Sequence, residues 1–272
     1  MPTTRVAVCQ YAIDIDDPAL TLERLHASVA EAAEAGAQVI VLPELCTSGY
    51  VFRDLDECWS RAEPADGPTM QLLKELSVRH HAIVVGGFCE RSDGDRPFNS
   101  AAVVENGEVL TVYRKTHLWD TEKRVFAVGD QPAPVVTTSV GQVAVMICYD
   151  AEFPEMVGSV ARRGAQLVLA PSNWPALKPP PPPGERAPEV VKAQAFAAVN
   201  RVFTVVCDRV GPERGVDWMG GSVVCDVEGY PVAGPAEGKP VVLIADLDLD
   251  RALVKTVSAN NDAFADRRPD LY

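Results

Sequence analysis

The sequence predicts an α/β fold of layered sheets and helices with some antiparallel pairing, and three observations carry that expectation. Continuous apolar, β-branched runs recur along the chain, as in RVAVCQ (5–10), AQVIVL (37–42), GQVAVMIC (141–148) and AQLVLAP (165–171). Such runs mark strands covered on both faces. Stretches of helical periodicity separate them, and NSAAVVENGEVLTVYRK (99–115) holds the Asn106-Gly107 pair that turns a hairpin.

Taken in order, residues 5–10 form a buried strand and residues 17–35 a helix. Asp16 and Asp17 are its capping candidates, Leu20, Leu22, Leu25, Val29 and Ala32 its apolar stripe, and Gly36 its stop. The strand at 37–42 breaks at Pro43. Met70 to His80 reads as helix, 82–88 as strand and 99–115 as the hairpin. After the strand at 141–148, Pro154 to Arg163 is a short helix with proline in its first turn and Gly164 as its stop. The segment LKPPPPPGERAPE (177–189) is an extended surface loop, because proline lacks the amide donor that helices and inner strands need. A rigid flap beside a site fits its position better than a PxxP ligand does. A helix at 188–201, a strand at 203–210 and two final strands around a turn complete the pattern. GAQVIVLPE (36–44) echoes GAQLVLAPS (164–172). Either the halves are pseudo-repeats, which would put Glu44 and Ser172 at equivalent strand ends, or two helix-glycine-strand junctions merely look alike.

Hydrophobic residues make up 47% and charged residues 23% of the chain, a balance that suits a soluble globular protein with a sizeable core. No Gly/Ser linker divides the 272 residues, so one domain over 1–272 is expected. A net charge of −13 argues against nucleic acid as a partner, since phosphate binding draws on Lys and Arg. No stretch is apolar enough to cross a bilayer or to serve as a leader, so a cytoplasmic protein without a membrane partner is expected. The seven cysteines (Cys9, Cys46, Cys58, Cys89, Cys148, Cys207 and Cys225) include no C-x-x-C pair, which indicates neither a disulfide scaffold nor a zinc site. No metal is expected. With no P-loop or Rossmann glycine signature, no cofactor is expected either.

Three residues stand where apolar strands stop. Cys148 ends one abruptly before a helix start, an elbow that lifts a side chain out of the core, and a helix N-terminus nearby favours thiolate. A small core residue at a tight turn fits that position equally well. Glu44 follows Pro43, and burial there would raise its pKa toward that of a general base, although an isolated strand-end Glu ordinarily makes a surface pair. Lys115 ends the hairpin in VYRKTHLW, where a lone lysine is ordinarily a solvated edge charge.

Together, PELCTSGY, YRKTHLW and ICYDAEFPE resemble the signature segments of the nitrilase superfamily. The resemblance runs from RVAVCQ to WMGGSVVCDVEGYPVA (218–233). It implies a four-layer α-β-β-α sandwich of the nitrilase type, a likeness to the amidase branch, and a homodimer or higher homo-oligomer. It makes Glu44 the base, Lys115 the cation at the oxyanion, Cys148 the nucleophile and the Tyr149 backbone amide the rest of the oxyanion hole. Glu122, in TEKRVFAVG, would orient Lys115 and substrate, while a surface charge in a Lys/Arg-rich turn is the plain alternative. His117 reads as structural. Tyr50, Asn173 and Trp174 are expected to bind substrate, and Arg186 to meet an acidic substrate group. Cys148-Tyr149-Asp150 differs from the Cys-Trp-Glu of true nitrilases, which favours a small linear amide. The AEFPE segment lacks the arginine pair with which N-carbamoyl-D-amino-acid hydrolases hold a carboxylate, and Val199 stands where related amidases carry Glu. Nitrile or ureido hydrolysis, or a binding scaffold without turnover, are the competing readings.

Overall fold

Alternation of side chains across the apolar runs builds two sheets that bury one face against each other and the other face under helices. In the computed structural model, which describes residues 3–176 and 178–271, the first half runs β1 (Thr4–Gln10), α1 (Pro18–Glu34), β2 (Val39–Val41), α2 (Leu55–Arg61), α3 (Pro68–His80), β3 (Ile83–Glu90), β4 (Phe98–Glu105) and β5 (Glu108–Arg114). The short α4 (Glu122–Val125) leads to β6 (Val135–Thr138), β7 (Gly141–Val145), a 3₁₀ turn at Cys148–Glu152, α5 (Pro154–Arg162), β8 (Leu167–Pro171), α6 (Pro188–Asn200) and β9 (Phe203–Cys207). Then come β10 (Val210–Glu213), β11 (Val216–Met219), β12 (Val223–Cys225), β13 (Pro231–Ala233), β14 (Val241–Leu247), β15 (Thr256–Ser258) and β16 (Asn261–Asp262). Residues 1–2, Leu177 at the head of the predicted proline loop and residue 272 of the predicted domain lie outside the described residues.

The first sheet has the order β14-β1-β2-β3-β4-β5 and the second β13-β12-β9-β8-β7-β6. Val6, Val8, Val39, Val41, Ile83 and Val85 share one core with Val143, Val145, Leu167, Leu169 and Val205 of the second sheet. Their alternate neighbours Ala7, Cys9, Ile40, Leu42 and Val84 pack instead with Leu25 and Val29 of α1 and Leu73 and Leu76 of α3. Val157 and Val160 of α5 and Val190 and Phe196 of α6 cover the second sheet. The result is the expected α-β-β-α sandwich.

The two halves repeat in topology. Reading β1-β2-β3-β4-β5 against β7-β8-β9-β12-β13, each has two parallel steps followed by antiparallel ones, and each has an antiparallel strand outside its first member, β14 or β6. Of the two explanations for the 36–44 and 164–172 echo, this order supports the repeat.

Local chemistry explains where the sequence reading and the structure part. Asp17 caps α1 by accepting from the Leu20 amide at 3.0 Å, and Gly36 closes it with φ 78°. The buried stripe is Thr21, Leu25, Val29 and Ala32, while Leu22 points outward. Thr21 wins its place by polar pairing, because its hydroxyl bonds the Asp14 carbonyl at 3.1 Å and accepts from the Asp14 amide at 2.8 Å. Asn106 and Gly107 turn the β4–β5 hairpin with φ 50° and 81°. The strand expected over 203–210 stops at Cys207, since the Asp208 carboxylate accepts from three backbone amides, those of Trp174, Arg209 and Gly221, at 2.8, 2.8 and 2.9 Å. The last two strands do not form one pair: β12 and β13 make a hairpin, and β14 crosses to the first sheet beside β1. Among the described residues no helix is long and apolar enough to cross a membrane.

One close approach ties the fold to the chain around Glu44. Gly87 of β3 passes under the Pro43–Leu45 turn, where a Cβ would sit 2.5 Å from the Leu45 nitrogen and 2.8 Å from the Glu44 Cα. Backbone atoms cannot step aside as a flexible side chain can. Gly87→Ala is therefore expected to destabilise the protein by about 1–3 kcal/mol, read as a lower urea midpoint with unchanged slope; an unshifted midpoint would show that the turn is free to move.

Candidate active site

The ends of β2, β5, β7 and β8 converge on a buried cluster. Lys115 continues β5, donating its backbone amide to Asn99 at 2.8 Å and accepting from Gly129 at 2.9 Å. Its ammonium is fully buried and donates to Glu44 Oε1 at 2.6 Å and to Glu122 Oε1 at 2.8 Å. Asn99, at the start of β4, lies between the same two carboxylates and donates to Glu44 Oε1 at 2.7 Å and Glu122 Oε1 at 3.2 Å. Glu122 Oε2 accepts from the Trp119 amide at 2.7 Å, so this residue is 2% exposed rather than a surface charge of its basic turn.

Burial raises the Glu44 carboxyl, and the Glu122 charge raises it further, against the pull of Lys115; it stands at about 7. Its second oxygen has no hydrogen-bond partner among the described residues. Burial pulls Lys115 down, but the Glu122 and Glu44 carboxylates outweigh it and hold the ammonium charged.

Cys148 opens the 3₁₀ turn with φ 47°, in the left-handed region that few residues other than glycine adopt. Leu45, next to Glu44, is in the same region at φ 49°. The Cys148 sulfur lies 3.8 Å from the Asn173 carbonyl oxygen. Its thiol is pushed well above the ordinary value by burial and then by Glu44, with Lys115 opposing. The helix end expected to favour thiolate does not prevail, because burial and the Glu44 carboxylate outweigh it; the Asp150 carboxylate in the first turn accepts from the Ile147 amide at 3.1 Å. Both leading causes favour the thiol form of this sulfur.

Asp150 also fixes the stretch after Lys115. It accepts from Tyr113 Oη at 2.9 Å, Thr116 Oγ1 at 3.0 Å and the His117 amide at 2.9 Å, and His117 Nδ1 lies at 2.8 Å. His117 stacks on Phe153 at 3.9 Å, in keeping with a structural place. Tyr149 meets Trp119 edge to face at 4.9 Å.

The other expected residues divide. Asn173 follows β8 and donates to the Glu44 carbonyl at 3.0 Å, so the repeat-related strand ends touch. Trp174 is buried, with its amide on Asp208. The Tyr50 hydroxyl faces Glu122, Glu44 and Cys148, and burial, then Glu122, keeps it neutral. Arg186 is not brought to the cluster: it is exposed and donates to Gln194 of α6 at 2.6 Å. Reading by sequence missed Asn99 and Asp150, and also a buried pair, Arg209 Nη1 to Glu213 Oε1 at 3.0 Å. Glu213 Oε2 accepts from the Tyr50 and Val51 amides at 2.9 and 2.7 Å, and the Arg209 guanidinium lies 4.9 Å from the Trp218 ring centroid. A polar Asn in the apolar run NSAAVV and the charge-dense CDRVGPERG after an apolar strand were the available signals.

Beside Glu122 and Tyr50 is a cavity of about 340 Å³, walled further by Phe52, Trp119, Phe126 and Trp218. Cys148 itself borders a space of about 20 Å³ between Trp174 and α6. Among the described residues no group of three or more His, Cys, Asp or Glu side chains is placed to hold a metal ion.

Comparison with known proteins places this geometry among relatives. The family model described as carbon-nitrogen hydrolase matches residues 5–253. A protein of Pyrococcus abyssi named nitrilase is 34% identical over 98% of this chain and 98% of its own length. An (R)-stereoselective amidase of a Pseudomonas species is 33% identical over 97% of this chain and 91% of its own. A mutant amidase from Nesterenkonia sp. AN1, solved after Michael addition of acrylamide at its active site cysteine, superposes with a TM-score of 0.80 at 28% identity, covering 98% of each chain.

The raised Glu44 value carries a stability consequence. Because the folded state holds the proton more tightly than an unfolded Glu does, the group's contribution is full below the ordinary value near 4.5 and is lost as pH rises through about 7. The melting temperature of wild type relative to Glu44→Gln is expected to fall between pH 5 and pH 8; a constant difference would mean that Glu44 titrates normally.

Proposed function

We propose, from the premise that this chain belongs to the carbon-nitrogen hydrolase family, that it is a cysteine-dependent amidohydrolase that cleaves the C–N bond of a small linear amide through a thioester, releasing ammonia or an amine. The observation that carries this reading is the buried Lys115 ammonium held at 2.6 Å from Glu44 and 2.8 Å from Glu122 beside Cys148.

Each step has a group suited to it. Glu44, poised at about 7, takes the Cys148 proton, and the thiolate adds to the amide carbonyl carbon. Charge develops on the carbonyl oxygen, where Lys115 and the Tyr149 backbone amide stabilise it. The tetrahedral species collapses as Glu44 returns the proton to the nitrogen, which leaves as ammonia or amine. Water, deprotonated by Glu44, then adds to the thioester carbonyl; collapse expels the thiolate, the proton returns to sulfur, and the carboxylic acid departs. Lys115 never gives up its proton, in line with the two carboxylates that hold it charged. Glu122 keeps the ammonium aimed, with Asn99 spacing the two acids.

Cys148→Ala is expected to abolish ammonia release from simple amides and the acyl adduct seen by intact-protein mass spectrometry. Lys115→Ala should lower kcat by about 10²–10³-fold. Turnover of nitriles alone would move the chain to nitrile hydrolysis, and an acyl adduct that survives in Cys148→Ala would remove the cysteine from its role. The kcat/KM profile should fall on the acid side through about pH 7, as Glu44 becomes protonated in the free protein; a limb near pH 4.5 would point to an exposed carboxylate instead.

A further inference from the structure

We propose that the aromatic cavity beside Glu122 selects its ligand by charge, admitting apolar acyl chains that are neutral or end in a cation and rejecting those that end in a carboxylate, with Asp120 as the charge-selecting residue. This rests on the amidohydrolase reading of Glu44, Lys115 and Cys148.

The cavity lies against the cluster through Tyr50 and Glu122, and apart from Asp120 and Thr121 its remaining wall is aromatic and aliphatic. Among its lining residues none is Lys, Arg or His, and the acidic ones are Glu122 and Asp120. Glu122 is committed: one oxygen takes the Lys115 ammonium and the other the Trp119 amide. Asp120 lines the cavity and is exposed, and among the described residues its carboxylate has no side-chain partner. Arg186, the anion anchor expected from sequence, is turned toward Gln194 instead, and Lys123 and Arg124, between the lining residues Glu122 and Val125, are exposed and do not line the space. The Arg209 guanidinium at Trp218 is spent on Glu213 and the Ile13 carbonyl.

A carboxylate entering this space would lose its hydration with no cation to replace it. Trp218 lines the space, while its indole Nε1 is itself buried and has no hydrogen-bond partner among the described residues. Even one neutral donor would fall short of the desolvation cost of an anion. Aromatic faces attract cations, and Asp120 adds the complementary charge at the mouth, so an ammonium end group is tolerated where a carboxylate is not. The balance inside the cluster has the same sign, since two carboxylates surround one ammonium.

Three amides matched in length test this: hexanamide, the monoamide of adipic acid and 5-aminopentanamide. Hexanamide and 5-aminopentanamide should each exceed the adipic monoamide in kcat/KM by about 100-fold or more. Asp120→Asn should lower the ratio of 5-aminopentanamide to hexanamide by about fivefold at low salt, and less at high salt, as befits an exposed charge. An adipic monoamide within threefold of hexanamide, or an Asp120→Asn ratio equal to wild type, overturns the proposal. The same three amides are titrated against Cys148→Ala by quenching of indole fluorescence. Charge selection in that binding without turnover in wild type would support the cavity and sink the amidohydrolase reading. Turnover without charge selection would do the reverse.

Discussion

A lysine ammonium with no exposure to water, shared between two carboxylates, is the constraint that the rest of the structure answers to. An isolated charge in such a place is prohibitive, and a single ion pair would still leave carboxylate lone pairs and ammonium protons to satisfy. Here Lys115 serves Glu44 and Glu122, Asn99 bridges the same pair, and the Trp119 amide takes the remaining Glu122 oxygen. One acceptor in the cluster's acids, Glu44 Oε2, is left without a partner among the described residues, and it belongs to the group proposed for proton transfer. Among the described residues Asn99 Oδ1 is the other acceptor of this cluster without a partner, so the bonded atoms fix the orientation of the two acids while Glu44 keeps one edge open for the chemistry proposed for it.

The fold delivers those groups through its repeat. Parallel strands in both halves end at the same edge, so β2 and β8 carry Glu44 and Asn173 to within one hydrogen bond of each other. The register requires bare backbone contact at Gly87, and the ends of the strands leave ordinary geometry at Leu45 and Cys148, both in the left-handed region. Such conformations persist only where surrounding contacts over-determine them. Asp150 supplies one set, joining the Cys148 turn to the segment after Lys115, and the Arg209–Glu213 pair supplies another by holding the Tyr50 amide.

Much of this was legible because it depends on local pattern. The strands, the Asn106-Gly107 hairpin, the Asp17 cap and the Gly36 stop follow from periodicity and turn chemistry, and the three signature segments pointed to Glu44, Lys115 and Cys148. What escaped depends on contacts between distant residues. Thr21 displaces Leu22 from the buried stripe through a bond to Asp14, and Asp208 ends a strand by taking amides from two distant segments, at Trp174 and Gly221, besides that of its neighbour Arg209. Asn99 looked like one polar residue in a strand until Glu44 and Glu122 arrived from 55 and 23 residues away. The thiolate expected from a helix end was outweighed by burial and by neighbouring acids, neither of which a strand-turn-helix pattern reveals. Arg186 sits near the site in sequence only, because the proline-rich loop carries it to α6.

The excess of acid over base at the cluster also connects catalysis to recognition. Two carboxylates around one ammonium leave a surplus negative charge if both ionise, and burial makes that surplus costly, so the proton affinity of Glu44 rises to about 7. A second cation would cancel the surplus, but it would also return Glu44 toward an ordinary carboxylate and weaken it as a base at neutral pH. The aromatic cavity that adjoins Glu122 contains no such cation among its lining residues. Keeping positive charge away from the wall would therefore preserve Glu44 as the proposed base, and on the charge-selection proposal the same absence sets the sign of the ligand that the wall accepts.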